Sequence, residues 1–207
     1  VLVADKNTEA ALKSLLTRGP ALGIQPIEFD IFVHPRRDPG CVNEAHLFLR
    51  PFANTHRYAL VVLDHEGSGR DNIPPMRLAE QVTEQLSQNG WLQRGQAVVI
   101  APELEVWVWS PSPHVPACIG WEGRQPDLRS WLESTGRWPN NQVKPARPKE
   151  ALEAALREIR RPRSSAIYAD LAASVSLRGH SEPAFLALAA ALRSWFDEPD
   201  PATSPPI

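Results

Sequence analysis

Six carboxylates fall just after apolar stretches, and they define the chemistry open to this chain. Asp5 and Glu9 follow the opening run Val1 to Ala4; Asp64 and Glu66 follow Tyr58 to Leu63; Glu103 and Glu105 follow Ala97 to Ala101. Carboxylates brought together repel, and each raises the pKa of the next unless a cation compensates. Hard oxygen ligands suit Mg2+, Mn2+ or Ca2+. A Mg2+ held by carboxylates keeps several waters and completes its shell with phosphate oxygens, so the implied chemistry is hydrolysis at phosphorus. On this reading Asp64, Glu66, Glu103 and Glu105 are metal ligands, and Asp5 and Glu9 are acid/base groups or further ligands. The competing reading makes the same residues helix caps and loop charges. For any single acid that reading is preferred; acids after three separate strands shift the balance to the metal.

The elements must supply this convergence. Val1 to Ala4 reads as a strand. A helix follows, capped by Asn7 or Thr8, with Leu12, Leu15 and Leu16 on one face and Gly19-Pro20 as its end. Ile27 to Val33 alternates apolar with Glu28 and Asp30, as an edge strand with one wet face does. Val42 to Phe52 reads as a short helix. Tyr58 to Leu63 is continuously apolar, the pattern of a parallel strand buried on both faces. Met76 to Asn89 is a helix stopped by Gly90, with Ala79, Val82 and Leu86 inward, and Ala97 to Ala101 is a further buried strand. Such alternation of strand and helix predicts an α/β fold with a mostly parallel sheet. In open α/β sheets ligands bind at the carboxyl ends of the strands. The carboxylates therefore converge if their strands are neighbours.

Beyond residue 103 strand signals disappear. Leu104 to Trp109 is ambiguous. Helices are expected over Asp127–Glu133, Pro148–Arg161 and Ser164–Val175. A last helix is capped by Ser181 and carries Phe185, Leu188, Ala189 and Leu192 on one face. The expected organisation is an α/β core over 1–110, a helical C-terminal extension over 111–198 and a disordered tail over 199–207.

Composition narrows the function classes. The chain has 207 residues and a formal net charge of −2, which excludes a strongly cationic nucleic-acid binder but leaves room for a local basic patch. Residues 144–163 form such a patch, with seven basic side chains against three acidic ones. Lys144, Arg147 and Lys149 within it, together with His34, Arg36 and Arg37 after the second strand, are candidates for phosphate or nucleic-acid contact. A solvated helix face explains the 144–163 patch equally well. Two cysteines, Cys41 and Cys118, are too few for a disulfide framework or a four-Cys zinc site and fit a reducing compartment, so the expected location is the cytoplasm. No apolar run reaches the roughly 18 residues that span a bilayer. The six histidines lack zinc-ligand spacing. Gly67-Ser68-Gly69 is an ordinary turn rather than a phosphate loop, and no Walker, Rossmann or G-x-S-x-G motif is present.

Together these residues resemble a known pattern. Asp5-Lys6-Asn7-Thr8-Glu9 resembles the first motif of Toprim domains in the overcoming-lysogenization-defect nuclease group, and Asp64-His65-Glu66 resembles the Asp-x-Asp motif after a later Toprim strand. Residues 102–107 and 144–149 are similar to the Glu-Phe-Glu-Ala-Trp and Lys-Pro-rich segments of a Toprim-like family of bacterial proteins. The whole chain resembles a small component of bacterial methylation-associated phage-defence systems. The resemblance implies a Toprim-like sheet and a Mg2+- or Mn2+-dependent nuclease or phosphodiesterase acting with other defence-system subunits on nucleic acid. The chain departs from the pattern at three positions. Asp5 stands where the family has Glu, Lys6 where it has Gly, and Glu66 where it has the second Asp. These departures, with seven tryptophans available for interfaces, support an alternative: a non-catalytic, partner-binding subunit.

Overall fold

The computed structural model describes residues 1–110, 112–177 and 181–197. The tail expected over 199–207 lies outside them.

Four parallel strands form one sheet in the order β2-β1-β3-β4, with β1 at Leu2–Val3, β2 at Phe32–Val33, β3 at Ala59–Asp64 and β4 at Gly95–Ile100. The chain is an α/β protein, as its pattern predicts. The segment before β2 keeps the expected alternation, with Ile27, Phe29 and Ile31 half-buried and Glu28 and Asp30 exposed. Only Phe32–Val33 pairs, however, because β1 offers just Leu2 and Val3 as ladder partners.

The sheet is covered on both faces, and the period of two along its strands divides the core. Val3, Leu60, Val62, Val98 and Ile100 face one side; Leu2, Ala59, Val61, Leu63, Ala97 and Val99 face the other. Helices α3 (Arg37–Leu49) and α4 (Pro75–Leu86) cover the second face. On α4 the buried stripe is Leu78, Val82 and Leu86, with Ala79 only partly buried. The first face carries α1 (Lys6–Leu16), where Leu12, Leu15 and Leu16 are buried as their spacing requires. A short helix, α2 (Gly19–Leu22), follows α1.

The C-terminal part packs on that same first face. It contains α5 (His114–Ile119), α6 (Leu128–Ser134), α7 (Pro148–Glu158), α8 (Ser165–Ser174) and α9 (Pro183–Phe196). Leu152, Ala155 and Leu156 of α7, Ile167 and Leu171 of α8, and Phe185, Leu188 and Leu192 of α9 join one cluster with Leu12 and Val62. The extension thus has no core of its own. The ambiguous segment after β4 is a 3-10 turn, Leu104–Trp107. Ser181 is not the cap of α9: the helix begins at Pro183, and Glu182 stands at the cap position without a side-chain bond. Among the described residues no helix is long and apolar enough to cross a membrane.

At the amino end of the sheet, Arg94 ties loops together. It donates to the carbonyls of Ala53 (2.7 Å) and His56 (2.9 Å) and lies 4.7 Å from the Trp91 ring centre.

Candidate functional site

The strand order places four chain segments side by side at the carboxyl edge: Asp5 after β1, His34 after β2, Asp64 at the end of β3 and Glu103 after β4. Convergence is achieved, but each predicted side chain has its own local role.

Asp5 caps α1. Its Oδ1 accepts the Thr8 N–H at 2.8 Å, filling the role expected of Asn7 or Thr8; Thr8 itself is buried at 2 % exposure. Replacing Asp5 with Ala is expected to cost about 1 kcal/mol, while Asp5→Asn costs little. Urea unfolding of the two variants separates this capping role from acid/base chemistry, which Asn cannot perform.

Glu9 is bridged by Lys6 and Lys13, both at 2.8 Å. Those two lysines hold its carboxyl below the usual range, which suits a permanent anion and not a proton donor.

Asp64 is the focus of the edge. Its Oδ1 is buried and has no hydrogen-bond partner. Its backbone N–H donates to Asp38 Oδ1 at 2.8 Å. Burial pushes the Asp64 carboxyl well above the usual carboxylate range, and Asp38, Glu105, Asp5 and Glu103 push it further. Burial also raises Asp38. Asp38 is a member of this group that the sequence reading omitted, because α3 starts at Arg37 rather than near Val42. The available signal was Asp38-Pro39: an acid and a proline together suit a first helical turn.

Glu66, by contrast, is exposed; its backbone N–H donates to Pro102 O at 2.9 Å. The side chain faces water, yet its charge acts on Glu103 and helps to raise that carboxyl, so Glu66 stands at the exposed rim of the group.

Glu103 and Glu105 are both buried, at 3 % and 1 % exposure, and both are paired. Glu103 Oε2 accepts from Lys149 Nζ at 2.7 Å. Burial pushes the Glu103 carboxyl up, and the Lys149 hydrogen bond opposes it. Glu105 Oε1 accepts from both Arg163 Nη2 and Tyr168 OH. Arg163 also pairs with Glu153 at 3.1 Å. Both lone-pair directions of Glu105 Oε1 are therefore used inside the fold.

The basic candidates do not assemble a phosphate site. His34 is 3 % exposed, and its Nδ1 accepts the Arg36 N–H at 3.1 Å. Burial lowers its pKa, favouring the neutral ring. A Cβ at Gly40 would stand 2.0 Å from His34 Nδ1, so this helix position admits only glycine. Arg36 pairs with Glu44, and Arg37 is exposed with φ of 50°. Lys144 donates to Val106 O at 2.7 Å and pairs with Glu182 at 2.6 Å. Arg147 is exposed and lies 3.5 Å from Glu150. Lys149 and Arg163 face acids, and Arg161 donates to Cys118 O at 2.8 Å. The 144–163 stretch is thus mainly a set of struts, because its net charge is matched by buried acids and carbonyls of the core.

Does this edge fit a divalent ion? The unpartnered Asp64 Oδ1 argues for a cation there. Against it, Lys149 already contacts Glu103, Arg163 and Tyr168 occupy Oε1 of Glu105, and Glu66 is exposed. Among the described residues no group of three or more His, Cys, Asp or Glu side chains is arranged to hold a metal ion. As folded, the donor set fits a lysine-neutralised carboxylate cluster and does not fit a preformed Mg2+ site.

The buried charge has a pH consequence. Ionised Asp64 destabilises the fold, and that cost is relieved as pH falls through its raised native pKa. Asp64→Asn is therefore expected to be more stable than wild type at pH 8, by about 1–3 kcal/mol. The gap should shrink towards pH 4, where the native carboxyl takes up its proton. Denaturant titrations of both proteins across that range check it; a gap that widens in acid has the wrong sign.

A cavity of about 650 Å³ lies elsewhere, in the helical part between Trp109, Val115, Trp121, Leu128 and Trp138. Of the predicted residues only Lys144 lines it.

No known protein family, curated protein or solved structure matches the chain.

Proposed function

We propose that this protein is a Toprim-like, cytoplasmic component of a bacterial anti-phage defence system, acting as a non-catalytic subunit that binds partner subunits. The observation that carries the non-catalytic part is the Lys149–Glu103 pair: an ammonium group contacts the carboxylate that a catalytic ion would need. The paired states of Glu9 and Glu105 point the same way, as do the departures at Asp5, Lys6 and Glu66 from the Toprim pattern. Membership in a defence system rests on the sequence resemblance.

One observation favours a second reading, a Mg2+- or Mn2+-dependent nuclease or phosphodiesterase. Asp64 Oδ1 is buried without a partner, beside Asp5, Asp38 and Glu103. A metal ion bound there would supply Lewis acidity to a phosphate group.

Two measurements test the proposal. Purified protein with Mg2+ or Mn2+ is expected to leave DNA, RNA and a simple phosphodiester intact. Co-expressed with the other subunits of its system, it is expected to elute in their complex. Metal-dependent cleavage that Asp64→Asn abolishes overturns the first part and establishes the second reading. Elution apart from every other subunit overturns the second part.

A further inference from the structure

We propose that the cavity of about 650 Å³ in the helical part binds a planar aromatic anion: a flat ring system that packs among Trp109, Trp121 and Trp138 and presents a carboxylate or phosphate to Arg124. The inference goes beyond the partner-binding reading and does not depend on it, since it gives the chain a small-molecule ligand.

Three indoles set the character of the walls. A cavity of this volume has the size that encloses small ligands, which are held by an apolar lining with a few placed polar groups. Trp109, Trp121 and Trp138 are 1 %, 3 % and 8 % exposed. Each spends its N–H inside the fold: Trp109 on Pro148 O at 2.9 Å, Trp121 on Pro126 O at 3.1 Å and Trp138 on Gln142 O at 3.0 Å. Those bonds fix the rings and leave their carbon surface for the cavity. Trp109 and Trp138 already meet edge to face, at 74° between planes. A third ring entering there finds walls that need no ordering, which keeps the cost of binding low.

The polar groups on the walls select the charge. Lys144 and Arg129 face Glu182 and Glu133, and Asp127 accepts from Ser130. Arg124 differs from them. It is exposed, lies 5.2 Å from the Trp121 ring centre and, among the described residues, pairs with no carboxylate. Ser110 Oγ accepts the Ser112 N–H and Ser112 Oγ accepts the His114 N–H, both at 3.4 Å. Neither hydroxyl proton has an acceptor among the described residues. The unspent groups are therefore mainly donors, and the ligand that satisfies them best is an anion. Glu122, an exposed acid on the same wall, is the opposing group. A cationic ligand finds its places taken: Arg124 stands over Trp121, and Arg129 lies 4.0 Å from the Trp138 ring centre, where an ammonium group would sit.

Naphthoate is the probe, with naphthalenemethanol as its neutral and naphthylmethylammonium as its cationic counterpart. Adenosine monophosphate presents the same chemistry in the form of a nucleotide. Binding to the full chain is followed by isothermal titration calorimetry and by indole emission. At least one of the two anions is expected to bind at about one molecule per chain, about tenfold or more tighter than the neutral and cationic compounds. Arg124→Ala is expected to weaken that binding about tenfold. Arg124 is exposed, so the variant keeps the fold. The control is Arg57→Ala, which deletes another exposed arginine, 5.2 Å from the Tyr58 ring centre near the start of β3, and leaves the affinity unchanged. Tighter binding of adenosine monophosphate assigns the cavity to nucleotides, and tighter binding of naphthoate to aromatic acids; either supports the inference. Failure of both anions to bind overturns it. So does a neutral or cationic compound that binds as tightly as the anions, or anion binding that Arg124→Ala leaves intact. These outcomes are read without any other subunit, so they stand or fall apart from the partner-binding reading.

Discussion

Arg163→Ala is expected to destabilise the protein by about 3 kcal/mol, and by more than any other charge deletion outside the acidic edge. Glu105 is 1 % exposed, and Arg163 is the cation that compensates it. Deleting Arg163 leaves a buried carboxylate with only the Tyr168 hydroxyl as donor. Breaking a buried pair from one side costs about 3–5 kcal/mol, and the partial exposure of Arg163 places this one at the lower end. For a chain of this length the loss corresponds to a fall in Tm of about 6–12 °C. The informative control is the double variant Glu105→Leu with Arg163→Met. Swapping both partners for apolar groups removes the uncompensated charge, so it is expected to recover most of the stability. Thermal melts of the two variants and of Glu105→Leu alone complete the comparison. A neutral Arg163→Ala would mean that Glu105 reaches water, against its burial.

Trp109→Ala is expected to cost about 4 kcal/mol, the largest single loss among the substitutions considered. The indole is 1 % exposed, and its Nε1 donates to Pro148 O at 2.9 Å. Its ring packs edge-on against Trp138, with 5.4 Å between centres. The substitution therefore opens a large cavity and also removes the side-chain hydrogen bond that ties this segment to the first residue of α7. Trp109→Phe retains most of the volume and loses the donor; about 1–2 kcal/mol is expected. Urea denaturation measures both. Because Trp109 joins the segment after β4 to α7, the loss also reports on how the two halves cohere. A single cooperative transition that shifts as a whole is the expected form, since α7, α8 and α9 share their core with the sheet. Separate transitions for the helical part and the sheet would contradict that shared core.

The carboxylates illustrate how far residue patterns reach. Runs such as 58–63 and 97–101 marked buried strands, because parallel strands covered on both faces have no polar positions to reveal a period. From those runs the acids Asp64 and Glu103 could be placed at one edge. Asp38 was signalled only by the Asp38-Pro39 pair, since the start of α3 has a cap with no side-chain bond at Arg36. Helix starts without capping signals are the least legible boundaries. The sequence did not disclose that Lys149 meets Glu103 or that Arg163 meets Glu105. Those partners are 46 and 58 residues apart. No local periodicity relates such positions. Four members of the basic stretch that suggested phosphate contact, Lys144, Lys149, Arg161 and Arg163, bond into the core, while Arg147, Arg157 and Arg160 stay exposed.

What the sequence by itself determined was the α/β class, the parallel sheet, the helical C-terminal part and the placing of acids at strand ends; that they converge was decided by the strand order β2-β1-β3-β4. These follow from hydrophobic period and from strand ends, which are local properties of the chain. Only the tertiary structure decided which acids are compensated and by what. That decision is a matter of distances of a few ångströms between distant segments, and electrostatics in a buried site depends on those distances more steeply than on residue type.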